Sequence, residues 1–127
     1  MIPDRPQGIG LVESFACAAA GIRETAKGRN FRIQSCFAVL AIALSVVFRV
    51  SVVELIVVLA CIALVLGGEC MNTALESVVD LASPRYHELA KTAKDAAAGA
   101  VLCFSIGSFA VGFVLFAPRI LHAIGIM

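Results

Sequence analysis

The sequence predicts an all-α membrane protein, in which one amphipathic surface helix is followed by three transmembrane helices. Of the 127 residues, 61% are hydrophobic and 15% are charged, and the mean hydropathy is +0.98. These values lie far outside the range of soluble domains. Three long apolar stretches contain only one charged residue between them. Because about 20 residues are needed to cross a bilayer, three spans occupy most of the chain and leave room for a single domain, 1–127.

The N-terminal segment is expected to lie outside the bilayer core. Residues 1–10 are rich in Pro and Gly and predict a loose tail. Across 11–30, apolar residues recur at steps of three and four, while Glu13, Arg23, Glu24 and Lys27 lie elsewhere around the helix. This pattern predicts an interfacial helix in the headgroup plane. No cleaved signal peptide is expected, because these charges interrupt the apolar stretch.

The three predicted spans lie in helices over 31–48, 52–81 and 91–118. The link at 49–51 is short enough to make the first two helices a hairpin, and Pro118 is expected to end the third. Eight Lys and Arg residues lie on the side of the N-terminus and the segment 81–95, and two, Arg49 and Arg119, lie on the opposite side. The positive-inside rule therefore predicts a cytoplasmic N-terminus, and the expected location is the inner membrane, which the chain crosses several times.

Charge and cysteine content exclude several function classes. The net charge of +1 gives no basic surface for nucleic acid, so no nucleic-acid partner is expected. The five cysteines are widely spaced, form no C-x-x-C pair, and are interpreted as small hydrophobic residues. The third span has only Ser105 and Ser108 as polar residues, which argues against a pore.

The residues that could carry out chemistry lie where the second apolar run continues, without a turn, as a polar helix. At about 100° per residue, five polar side chains fall within an arc of roughly 100°, and they are Glu69, Asn72, Thr73, Glu76 and Asp80. Carboxylates on one face repel each other and favour a bound cation, and hard oxygen ligands favour Mg2+. Their position at a membrane boundary favours a functional site. The alternative is a solvated face paired with nearby Lys or Arg side chains.

A charged segment precedes the third span and is expected to face the acidic helix across a turn at Ser83 and Pro84. It contains Lys91, Lys94 and Asp95. The sequence has neither the G-x-x-x-x-G-K-[ST] loop nor a Rossmann fingerprint, so a nucleotide would be held by carboxylate-bound metal and lysine. His87 is a further candidate donor. The alternatives are a snorkelling Lys94 and a solvated His87.

Two sequence blocks carry a family resemblance. The first is ECMNTALESVVD at 69–80, and the second is AKTAKDAAAGAV at 90–101. They resemble the signatures of the prokaryotic diacylglycerol kinase and undecaprenol kinase family, small trimeric membrane enzymes. Weaker similarity through NFRI at 30–33 extends the resemblance over nearly the whole chain, and LAK at 89–91 is closer to the Gram-positive undecaprenol kinase branch.

The resemblance implies ATP- and Mg2+-dependent phosphorylation of diacylglycerol or undecaprenol by a homotrimer, at composite sites on the cytoplasmic membrane boundary. It implies that Glu69 is the catalytic base and that Glu76 binds the Mg2+ of MgATP. The implied ATP contacts are Glu76, Lys94, Asp95, Tyr86, His87 and Cys17. The implied lipid contacts are Glu69, Asn72 and Ala98, with Asp80 and Thr73 supporting the site.

The chain departs from the family pattern at one metal-binding position. The family usually has Glu immediately before Arg-Asn, whereas this chain has Gly28 there. Glu24, one helical turn earlier, is the candidate replacement ligand. Cys17 stands where the family often has Tyr, and Gln34 where it often has His. The alternative function is therefore a catalytically impaired or non-enzymatic membrane scaffold of the same fold.

Overall fold

The chain forms four helices in a computed structural model that describes residues 10–126. They are α1 (Leu11–Thr25), α2 (Arg29–Val47), α3 (Val52–Ala82) and α4 (Glu88–Ala123). No strand occurs within the described residues. The predicted all-α fold class is confirmed. Of the predicted tail 1–10, only Gly10 lies within the described residues, as a linker ahead of α1.

Helix α1 lies on the surface and is shorter than the predicted 11–30. Apart from Thr25, its side chains are exposed, and the helix packs on α3. The chain then turns over three residues, with the Gly28 amide donating to the Thr25 carbonyl at 2.9 Å. Gly28, with φ −69° and ψ 140°, is the N-cap of α2. The interfacial segment and the first span are therefore separate helices joined by a tight turn.

Helices α2 and α3 form the predicted hairpin. Arg49 turns the chain with a φ of +47°, in the left-handed region. Ser51 and Glu54 then form a capping box, in which Ser51 Oγ accepts from the Glu54 amide at 3.3 Å and Glu54 Oε2 accepts from the Ser51 amide at 2.7 Å. This cap satisfies two amides that the first turn of α3 leaves free, so it fixes where α3 begins.

Helices α3 and α4 are both longer than a bilayer crossing requires. The 31 residues of α3 extend about 46 Å, against roughly 30 Å of hydrocarbon, which agrees with the expected polar extension of this helix. The expectation that Pro118 ends the third helix is wrong, because α4 continues to Ala123 with Pro118 inside it. The next residue secures this turn: Arg119 Nη1 donates to the Leu115 carbonyl at 2.6 Å, and Nη2 donates to Glu54 Oε1 at 2.7 Å.

The helices pack along α3, which contacts each of the other three. Among residues 10–126, few apolar side chains are buried. These are Phe31, Ala38, Val58, Ala97, Val101 and Phe116. Most other large hydrophobic side chains face outward, and α2, α3 and α4 are each long and apolar enough to cross a membrane. These outward faces suit a hydrocarbon environment and not water.

Candidate active site

The polar face of α3 changes from buried to exposed along the helix. Glu69 is 7% exposed and Asn72 is 8% exposed, whereas Glu76 and Asp80 are exposed. Thr73 lies between them and is half-buried, and its hydroxyl donates to the Glu69 carbonyl at 3.0 Å. The face therefore joins a buried carboxylate at one end to accessible carboxylates at the other.

The buried carboxylate of Glu69 contacts the side chain of Gln34 on α2. Gln34 Nε2 donates to Glu69 Oε2 at 3.4 Å. The other amide atom, Gln34 Oε1, is buried and has no hydrogen-bond partner within the described residues. A buried acceptor without a donor is costly. The arrangement therefore leaves an acceptor beside Glu69 that a donor brought by a ligand or a water molecule would satisfy.

Asn72 hydrogen-bonds to Glu76, which lies one turn further along α3. Asn72 Nδ2 donates to Glu76 Oε1 at 3.0 Å, which leaves the second Glu76 carboxylate oxygen available. Asn72 Oδ1 is buried and has no partner within the described residues. Two oxygen atoms on one helical turn are thus ready to receive a hydrogen-bond donor or a cation.

Residues of α4 form two ion pairs near the polar face of α3, one between the two helices and one within α4. Lys94 Nζ lies 2.5 Å from Asp80 Oδ1, across the turn between α3 and α4. This contact confirms that a cationic side chain of α4 faces the acidic helix, and it also matches the alternative in which Lys94 pairs with that face. Lys91 pairs with Asp95 at 2.6 Å on the same helix. Both pairs are accessible, so their charges remain open to an incoming ligand.

The predicted second metal ligand, Glu24, is exposed and engaged elsewhere. Its carboxylate pairs with Lys27 Nζ at 2.5 Å, with 68% of the Glu24 side chain exposed. Within residues 10–126, no group of three or more His, Cys, Asp or Glu side chains converges on a metal position. Protein-bound Mg2+ often uses only one or two carboxylates, together with water and phosphate oxygens. Glu76 with its free oxygen fits that pattern.

The remaining predicted site residues are exposed. Tyr86, His87, Cys17 and Ala98 all lie at the surface of the single chain. His87 is the N-cap of α4, and its Nδ1 accepts from the Leu89 amide at 3.1 Å. Among the described residues, none of the four hydrogen-bonds to the polar face of α3. Their proposed contacts with a nucleotide or a lipid stay predictions.

An apolar groove of about 930 Å³ runs between α2, α3 and α4 and reaches Gln34 at one end. Its walls include Phe37, Val58, Leu66 and Phe109. Sequence reasoning missed both the groove and the Gln34–Glu69 contact. The available signal was a Gln at the start of an otherwise apolar span, which marks a polar group that needs a partner within the bilayer.

Comparison with known proteins identifies the family of this chain. The family profile for prokaryotic diacylglycerol kinase matches residues 16–116. The chain is 38% identical to the undecaprenol kinase of Bacillus subtilis (strain 168) over 85% of its own length and 89% of that protein. It is 43% identical to a diacylglycerol kinase of Synechocystis over 87% of its own length and 65% of that protein. It is also 34% identical to the diacylglycerol kinase of Escherichia coli K12 over 66% of each chain.

The similarity covers the polar face of α3, the start of α4 and most of the apolar helices. The matched region includes Glu69, Glu76, Lys94 and Asp95. It also includes all of α2 and α3. The chain therefore belongs to the prokaryotic diacylglycerol kinase family, a family of membrane-bound lipid kinases.

Proposed function

We propose that this chain transfers the γ-phosphoryl group of MgATP to the primary hydroxyl of a membrane lipid, at the cytoplasmic boundary of the inner membrane. Undecaprenol and diacylglycerol are the two candidate substrates, because relatives that cover most of the chain carry both names. The N-terminus lies in the cytoplasm, as the Lys and Arg distribution favours. Three chains assemble, and neighbouring chains complete each site.

One observation carries the proposal: the buried carboxylate of Glu69 stands between an apolar groove and a polar, accessible helix end. The groove reaches Gln34, which hydrogen-bonds to Glu69. Beyond Glu69 follow Asn72 and Glu76, which are joined by a hydrogen bond. A lipid alcohol carries a hydrocarbon chain and a single polar end, and a nucleotide is strongly anionic. Glu69 stands where two such substrates would meet.

The reaction requires the lipid hydroxyl to lose its proton as it attacks. Glu69 accepts this proton, the lipid oxygen bonds to the γ-phosphorus, and the bond from that phosphorus to the β,γ-bridging oxygen breaks. ADP leaves with the electron pair of the broken bond, and the lipid becomes its phosphate monoester. Such a transfer depends mostly on positioning and on neutralising charge. Burial of Glu69 excludes water, which would otherwise compete as the acceptor.

The polar end of the site supplies charge neutralisation. Glu76, with Asn72 beside it, would hold the Mg2+ of MgATP, and that ion would neutralise the phosphate oxygens. Lys94 gives a positive charge for the phosphates, and Asp80 holds its ammonium group in place. Tyr86, His87 and Cys17 contribute nucleotide contacts, Asp95 binds the nucleotide, Ala98 borders the lipid, and Thr73 supports Glu69.

A direct assay tests the proposal. The purified chain in lipid bicelles is given radiolabelled ATP and Mg2+, with undecaprenol or diacylglycerol as acceptor. Labelled lipid phosphate from at least one acceptor is expected, and its loss is expected when Mg2+ is chelated. No labelled lipid from either acceptor, with the chain folded, would refute the proposed activity.

Variants of the two central carboxylates separate the enzyme from a scaffold of the same fold. Glu69→Gln and Glu76→Gln keep the side-chain size and remove the charge. Each is expected to reduce kcat at least about 100-fold while the helical circular dichroism spectrum is unchanged. Glu13→Gln, an equal loss of charge on exposed α1, is the control. Equal activity in all three variants would indicate that the lipid phosphate came from a contaminating kinase.

A further inference from the structure

The side chain of Gln34 links the apolar groove to the buried carboxylate of Glu69. Gln34 lines the groove between α2, α3 and α4. Its Nε2 donates to Glu69 Oε2 at 3.4 Å. Within the described residues, it is the one side chain that donates a hydrogen bond to this carboxylate, and the Glu69 side chain is otherwise enclosed. The contact joins α2 to α3, which the hairpin holds in register.

We propose that Gln34 is a positioning residue for Glu69 and keeps one carboxylate oxygen directed toward a lipid hydroxyl at the end of the groove. This inference rests on the proposed function, because it assigns Glu69 the role of proton acceptor. Gln34 itself takes no proton. Its amide holds Oε2, so Oε1 is the atom that receives the proton from the lipid.

The direction of the Gln34 amide follows from electrostatics. Turning the amide over would bring its carbonyl oxygen against the Glu69 carboxylate, and two acceptors without a shared proton repel each other. The N–H group therefore faces Glu69, and Gln34 Oε1 faces away. That oxygen is buried and has no partner among the described residues, so the contact with Glu69 is the interaction that sets the orientation of this side chain.

A flexible carboxylate would weaken catalysis without weakening nucleotide binding. Glu has three rotatable side-chain bonds, and a buried base gains from being held in a reactive rotamer before the substrate arrives. Gln34 lies on α2 and contacts the base, whereas Lys94 and Asp80 pair further along the α3–α4 connection. Loss of the Gln34 amide is therefore expected to lower kcat and leave the KM for MgATP unchanged.

The test compares two substitutions of Gln34 in the full chain. Gln34→Met keeps the length of the side chain and removes the hydrogen-bond donor. Gln34→His has an N–H donor again, on an imidazole ring in place of the amide. Ser35→Ala is the control on the same helix, because within residues 10–126 the Ser35 hydroxyl bonds only to the Phe31 carbonyl. Kinetics with varied lipid and varied MgATP are measured in bicelles, with circular dichroism and thermal unfolding as checks of folding.

Gln34→Met is expected to lower kcat by about 10- to 100-fold, as for loss of a hydrogen bond to a charged group. The KM for MgATP is expected to stay within about twofold, and Gln34→His is expected to recover most of the loss. Unchanged kcat in Gln34→Met would overturn the positioning role, and so would equal losses in Met and His variants. If Gln34→Met does not fold, Gln34→Ala takes its place with the same expected kinetics.

The same experiment separates this inference from the proposed function. Wild-type protein without activity on any lipid alcohol would overturn the proposed function and the role of Gln34 together. Active wild-type protein with an equally active Gln34→Met variant would overturn only the role of Gln34. Active wild-type protein, an impaired Met variant and a recovered His variant would support both.

Discussion

Lys94 Nζ lies 2.5 Å from Asp80 Oδ1 and so joins the start of α4 to the end of α3. The contact spans the turn at 83–87, where the chain reverses direction. The side chains are 36% and 66% exposed, and an ion pair of this exposure contributes at most about 1 kcal/mol to the free energy of unfolding. Its stronger effect is to fix the position of a flexible ammonium group beside the polar face of α3.

Asp80→Asn is therefore expected to impair nucleotide use more than stability. The variant keeps the size of the side chain and releases Lys94, so the KM for MgATP is expected to rise about 10-fold, with unfolding shifted by less than about 1 kcal/mol. Glu88→Gln, an equal charge change in the first turn of α4, is the control and is expected to keep its KM. An unchanged KM in Asp80→Asn would show that Lys94 does not need Asp80.

Gly28 is the position where restoring a carboxylate should strengthen Mg2+ binding. Gly28→Glu places an acidic side chain at the N-cap of α2, which the helix dipole favours. The new Cβ would lie 3.1 Å from the Thr25 carbonyl oxygen, so the turn must move by a few tenths of an ångström. The Mg2+ concentration for half-maximal activity is expected to fall about 10-fold.

Gly28→Gln is the matched control for this change. It carries the same steric cost at the turn but no charge, so its Mg2+ dependence is expected to equal that of the wild type. Equal Mg2+ affinity in the Glu and Gln variants would show that a carboxylate at this position does not reach the metal. In that case Glu24→Gln decides whether Glu24 already supplies a ligand, by weakening Mg2+ dependence if it does.

Much of this fold follows from sequence periodicity, but contacts between helices do not. The 3.6-residue period correctly placed Glu69, Asn72 and Glu76 on one face of α3, since a single helix fixes angles by spacing alone. The Gln34–Glu69 contact also depends on how α2 packs against α3 on either side of the link at 48–51. Periodicity within one helix does not determine that packing. The prediction that α4 ends at Pro118 was wrong because Pro removes one backbone hydrogen bond, and a helix can continue past that loss. Arg119 sits beside it and ties that turn to Glu54.

The Glu54–Arg119 pair is expected to stabilise the protein without affecting catalysis. It joins the first turn of α3 to α4 at 2.7 Å, about 22 Å along α3 from Glu69. Glu54→Gln and Arg119→Gln are each expected to lower the free energy of unfolding, and the double variant is expected to lose less than the sum of the two single losses. Arg49→Gln is the charge control. Additive losses in a detergent unfolding assay would contradict the pairing, and a fall in kcat would contradict its separation from the site.

Gly68 is expected to be the glycine of α3 that cannot accept a methyl group. A Cβ at Gly68 would lie 2.8 Å from Phe104 Cδ2 on α4, whereas a Cβ at neighbouring Gly67 meets nothing within 4 Å. Gly67→Ala should therefore raise the free energy of unfolding by about 0.5–1 kcal/mol, through the better helix propensity of Ala. Gly68→Ala gains the same propensity but must move α3 away from the Phe104 ring, so a net loss of about 1 kcal/mol is expected.

Phe104→Leu in the Gly68→Ala background tests this packing, because a smaller side chain removes the overlap. The double variant is expected to be more stable than the sum of the single variants predicts, measured by unfolding in detergent. Because Gly68 directly precedes Glu69 in α3, the displaced helix should also shift the base relative to Gln34. A lower kcat is thus expected in Gly68→Ala and a normal one in Gly67→Ala. Equal stability and activity in the two alanine variants would show that α3 and α4 do not approach each other this closely.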